Sequence, residues 1–122
     1  GLIPATIGPY VIGRIGEGMA RRVFMSSRLF DAEMAAEIGV IARVVSPKAM
    51  EAAVADEVSP YLSVAPGAVG RAKALARALG PRIDDGVIDD TISRLADTWE
   101  TDEAREGIDA FLQKRAASWA KP

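Results

Sequence analysis

The chain has 122 residues, 49 % of them apolar and 26 % charged, with a net charge of −2. That is the composition of one soluble globular domain with apolar material for a core and no basic field to attract nucleic acid or an anionic membrane. It contains neither Cys nor His, which excludes disulfides, zinc–thiolate sites, thiol nucleophiles, Ser–His pairs and the commonest general base.

Residues 1–8 read as a loop rich in Gly and Pro. From Pro9 the pattern turns helical, with Ile12, Ile15, Met19 and Val23 spaced for one helix face. Gly13, Gly16 and Gly18 interrupt it, and the spacing predicts a break near Gly16 with a short helix on each side. Asp31 is placed to cap a helix over 32–38 that Gly39 stops. Val40 to Val45 is a β-branched run, sufficient for one edge strand at most. Ser46-Pro47 has the form of an N-cap followed by Pro at the first helical position. The helix it opens carries Met50, Val54 and Val58 on one face, and Pro60 kinks or ends it. Pro66 restarts a helix with an apolar side of Val69, Ala72, Leu75 and Leu79, closed by Gly80-Pro81. Asp84 or Asp85 opens the next, with Ile88, Ile92, Leu95 and Trp99 along it. Thr101, Asp102 and Glu103 start the last helix, with an apolar side of Ile108, Phe111 or Leu112, and Trp119. Lys114, Arg115 and Lys121 sit at its C-terminal end, the sign that the helix dipole favours.

A mostly helical chain follows, with at most one short strand near 40–45. A lone strand makes no sheet, so this segment requires a partner. No stretch of about twenty apolar residues and no charged start leading into an apolar core is present. A cytoplasmic location without membrane contact is the expectation. The residues alone present no catalytic constellation. Asp84, Asp85, Asp89 and Asp90 read as a solvated helix start in preference to a metal site. Gly13, Gly16 and Gly18 lack the preceding strand and the following Lys-Ser/Thr of a phosphate loop. Arg21-Arg22 reads as a solvated helix face, with a phosphate or an acidic partner as the other reading.

Three stretches, in order and along the whole chain, resemble the enoyl-CoA hydratase/isomerase (crotonase) family. Gly1-Leu2-Ile3-Pro4, followed by a helix to Gly18-Met19-Ala20-Arg21-Arg22, resembles the loop after the family's second catalytic Glu. Ser27 to Ile41 resembles its basic residue, small cap, Ala-rich helix, Gly and short strand. Thr101 to Arg115 resembles its terminal Asp-x-x-x-Glu-Gly-x-x-Ala-Phe-x-x-Lys-Arg pattern. The loop wording Ile3-Pro4-Ala5-Thr6-Ile7 departs from that of straight-chain hydratases and is nearer the branched or glutaconyl-type enzymes.

The resemblance implies a division into residues 1–65, the end of the crotonase core, and 66–122, the C-terminal helical trimerisation and CoA-binding region. It implies a lyase that hydrates 2-enoyl-CoA thioesters through an enolate held in an oxyanion hole, in fatty-acid or branched acyl-CoA metabolism. Backbone N–H donors aimed at the developing oxyanion carry the large electrostatic contribution in such chemistry, and two Glu side chains handle water and proton. By the resemblance all of these lie upstream of Gly1. The 122 residues are then expected to be the C-terminal part of a longer chain, inactive alone, with no catalytic side chain of their own. The backbone N–H of Ala5 corresponds to a family contact to the catalytic water, the other reading being a plain tight loop. Phe111 and Lys114 correspond to positions that meet the adenine and phosphate end of CoA from a neighbouring subunit. An aromatic face and an ammonium suit those groups; core packing for Phe111 and a solvated, dipole-facing charge for Lys114 are the other readings. The resemblance further implies an acyl-CoA substrate with CoA as part of the thioester, no separate cofactor, no metal, and a homotrimer or hexamer. Trp99 and Trp119 are either interface anchors or core residues. The rival reading is a non-catalytic helical oligomerisation or CoA-binding module.

Overall fold

The computed structural model describes residues 1–120; Lys121, one of the expected dipole-facing charges, lies outside them. Six α-helices are present among the described residues: α1 (Gly8–Phe24), α2 (Ala32–Glu37), α3 (Met50–Val58), α4 (Pro66–Leu79), α5 (Asp85–Trp99) and α6 (Asp102–Leu112). No strand occurs among the described residues. The β-branched run at 40–45 is bend and irregular chain, as expected of a strand former with no second strand to pair with.

The helix starts follow side-chain chemistry. Asp31 Oδ1 accepts from the Met34 N–H at 2.9 Å. Asp84 Oδ1 accepts from the Val87 N–H at 3.1 Å, and Thr101 Oγ1 from the Ala104 N–H at 3.1 Å. Each satisfies one of the orphan donors of a first turn. Ser46 makes no such bond; the turn it precedes is a 3-10 helix, Pro47–Ala49, that runs into α3. Beyond α3 the chain tightens into a second 3-10 segment, Ser59–Ser63, where Pro60 cannot continue the α-helical ladder. Within α1, Gly16 adopts φ 76°, ψ 160°, a conformation essentially reserved for Gly, so the helix is broken where the glycine pattern predicts.

The chain divides into two compact units. The first combines Gly1–Ser27 with the residues from Ile83 onward, so that α1, α5 and α6 belong together. The second runs from Arg28 to Arg82 and holds α2, α3 and α4. Among the described residues the buried apolar ones with side chains are Ala20, Ile38, Ala53, Ala104 and Ala110. Four of the five are alanines, so few bulky side chains are enclosed. The apolar stripes expected on α3, α4 and α5 are formed but stay largely open: Met50, Val54, Val58, Val69, Leu75, Leu79, Ile88, Ile92 and Trp99 are all exposed. Trp119 is not a residue of α6, which ends at Leu112. No described helix is long and apolar enough to cross a membrane.

Candidate functional site

The last turn of α6 and the chain that follows it are held by a set of specific hydrogen bonds. Residue Lys114 has φ 55°, the left-handed conformation that usually falls to Gly just past a helix end. Its N–H donates to the Phe111 carbonyl at 3.2 Å, and the Arg115 N–H donates to the Ala110 carbonyl at 3.0 Å. These two bonds are the paired 5→2 and 6→1 contacts of a Schellman motif, which satisfy carbonyls that a helix end otherwise leaves orphaned.

Arg115 then folds back onto α6. Its Nη1 donates to Glu106 Oε1 and its Nη2 to Glu106 Oε2, each at 2.7 Å. This is the two-pronged guanidinium–carboxylate geometry that gives both energy and direction. The Ser118 N–H donates to Glu106 Oε1 at 2.8 Å, and Arg115 Nε donates to Gln113 Oε1 at 2.9 Å. The hydrogen bonds from Arg115 and from the Ser118 N–H lower the Glu106 carboxyl from its ordinary 4.5 to about 2. Beyond Ser118, Trp119 lies over Gly107: a Cβ there would stand 3.3 Å from Trp119 Cη2 and 3.4 Å from the Gly1 nitrogen. The beginning and end of the first unit therefore meet on one face of α6.

Between them is an open depression of about 590 Å³, lined by Leu2, Gly107, Ile108, Phe111, Arg115 and Trp119 among others. Phe111 is 82 % exposed, so the core-packing reading of this residue does not hold within the chain. Lys114 stands at the adjoining helix end and Ala5 in the loop before α1. The Ala5 carbonyl accepts from the Gly8 N–H at 3.2 Å, closing the turn that starts α1. The Schellman turn joins Phe111 and Lys114 through their backbones, and Phe111 lines the depression while Lys114 stands beside it. The Glu106–Arg115 clasp escaped sequence reading: a spacing of nine fits no helix face, and the two side chains meet only because the chain reverses at Lys114. The acidic residues near Asp84 have other partners, Asp84 as a cap and Asp90 in a 2.7 Å ion pair with Arg94. Among the described residues no group of three or more His, Cys, Asp or Glu could hold a metal ion.

The enoyl-CoA hydratase/isomerase family model matches residues 1–122. The chain belongs to the enoyl-CoA hydratase/isomerase family. A Thermus thermophilus protein described as an enoyl-CoA hydratase is 33 % identical over 121 residues, covering 94 % of this chain and 46 % of that protein. The 1,4-dihydroxy-2-naphthoyl-CoA synthase of Mycolicibacterium smegmatis is 31 % identical over 117 residues, covering 92 % and 36 %. The crystal structure of an enoyl-CoA hydratase from Mycobacterium avium superposes with a TM-score of 0.73 at 28 % identity, covering 98 % of this chain and 47 % of that one. The chain thus spans less than half the length of these family members, and its helices correspond to the C-terminal helical portion of the crotonase fold.

Proposed function

We propose that these 122 residues form the CoA-binding and assembly end of a lyase of enoyl-CoA hydratase type, which adds water across the 2,3 double bond of a 2-enoyl-CoA thioester. The match of the family over every residue of the chain carries this reading. The two relatives are named for different CoA-linked compounds, which supports CoA itself as the common element. In the proposed reaction an oxyanion hole and two glutamates, supplied by residues outside these 122, stabilise the enolate and move the proton.

The chain's own part is binding and positioning. The exposed Phe111 ring stacks on the adenine and the Lys114 ammonium meets phosphate, in a site shared with a neighbouring subunit. The Ala5 N–H orients the attacking water from the loop before α1. The open apolar faces of α4 and α5 pack in a homotrimer or hexamer, for which closed symmetry is the usual outcome. CoA enters as part of the substrate with no separate cofactor, and the assembly works in the cytoplasm without nucleic acid or membrane.

Crotonyl-CoA turnover and the intact mass of the source protein test this together. A subunit of roughly 250 residues that consumes the enoyl double bond is the expected result. A 12.9 kDa protein that binds CoA without turnover would replace it with the non-catalytic CoA-binding module. A protein that fails to bind CoA would overturn both.

A further inference from the structure

Lys114 occupies a position where Gly would be the easier choice. An L-residue at φ 55° crowds its Cβ against the backbone, and Gly at the same place ends a helix without that strain. Such conformations persist only where the surroundings over-determine them. Here they do. Directly after Lys114, Arg115 is locked to Glu106 through two 2.7 Å bonds, and Glu106 also holds the Ser118 N–H. On the helix side, the Arg115 and Lys114 N–H groups are bound to the Ala110 and Phe111 carbonyls. The left-handed residue is therefore fixed from both flanks. Both ends of the clasp are partly shielded, Arg115 at 41 % and Glu106 at 26 % side-chain exposure.

We infer that Glu106 and Arg115 are positioning residues: their clasp holds the strained turn at Lys114 and so fixes the direction in which its ammonium is presented to the phosphate end of CoA. This rests on the CoA-contact reading of Lys114 proposed above. Terminating the helix would not by itself require a lysine at the strained position; presenting a cation from a rigid helix end does. A fixed backbone at Lys114 sets where its side chain leaves the helix end, so less freedom remains to be lost when the ammonium meets phosphate.

The test is a double-mutant cycle on the whole protein, with CoA as the probe and affinity read by calorimetry at low and high salt. Lys114→Ala is expected to weaken CoA binding about tenfold, the scale of one charge-assisted hydrogen bond, and to flatten its salt dependence. Glu106→Gln is expected to weaken it about threefold to fivefold in the wild-type background, flatten the salt dependence in the same way, and have no further effect in the Lys114→Ala background. Arg115→Lys, which keeps the charge but loses the two-pronged geometry, should behave as Glu106→Gln and serves where that variant folds poorly. If Lys114→Ala leaves CoA affinity unchanged, the CoA-contact reading fails and the clasp inference with it. If Lys114→Ala weakens binding but Glu106→Gln does not, or if the two effects simply add, the contact stands and the positioning role is overturned.

Discussion

Trp119 rests on Gly107 so closely that a single Cβ added there would stand 3.3 Å from its ring. The glycine of the terminal Glu-Gly pair is thus a seat for the tail. Gly107→Ala sets a helix-propensity gain of up to about 1 kcal/mol against a few tenths of an ångström of displacement. The expected net change in stability is small. Gly107→Leu cannot be accommodated this way; it should cost about 1–3 kcal/mol by overpacking and expose Trp119, already 49 % exposed, still further. Chemical denaturation, with Trp119 emission shifting to the red in a Trp99→Phe background, checks both.

The Glu106 carboxyl sits at about 2 in the folded protein against an ordinary 4.5. A depressed carboxylate contributes stability that is fully present above the higher value and is lost as pH falls through the lower one. Melting temperature should therefore drop between about pH 4.5 and 2 with a component that Glu106→Gln removes. At neutral pH the variant should be less stable than the wild type, and the two should converge towards pH 2. Parallel melting curves across that range would overturn the assignment.

Three helix starts were legible as side-chain caps, and their substitution should show it. Asp31→Ala, Asp84→Ala and Thr101→Ala should each cost about 1 kcal/mol, within the usual span for caps. Ser46→Ala removes a residue of the same apparent type that makes no capping bond, so its effect should be close to zero. Denaturant midpoints of the four variants decide this.

Two residues with positive φ should respond in opposite senses. Gly16 at φ 76°, ψ 160° has open space where a Cβ would go, so Gly16→Ala tests backbone strain alone and should destabilise by about 1–3 kcal/mol. Lys114→Gly relieves left-handed strain and should stabilise by up to about 1 kcal/mol while weakening CoA binding. Thermal melts paired with CoA titration separate the two quantities. A lysine variant that gains neither stability nor loses affinity would contradict the account of that turn.

Local signals read well here and long-range ones did not. Gly16, Gly39 and the Gly80-Pro81 stop act through their own backbone, and caps act within four residues, so each was visible in sequence. The β-branched run at 40–45 stayed irregular because strand propensity needs a partner that local sequence cannot supply. Val69, Leu75 and Leu79 show a helical stripe, and periodicity identifies a face without saying what covers it. Trp119 was assigned to the α6 face because nothing in a lysine announces a left-handed turn. Phe111 and Lys114 stand out in sequence only through likeness to the family, and Glu106 and Arg115 meet only through the chain reversal between them.

The first compact unit is assembled from two stretches of chain with residues 28–82 between them. During synthesis α1 leaves the ribosome well before α5 and α6 exist. At about 10 residues per second, the last turn of α6 follows α1 by on the order of ten seconds. Through that interval the helix broken at Gly16 has no packing partner of its own unit, whereas residues 28–82 can collapse as soon as they emerge. Within this stretch the order of folding is therefore expected to run against the order of translation, with α1 settling into its unit only after α6 has emerged.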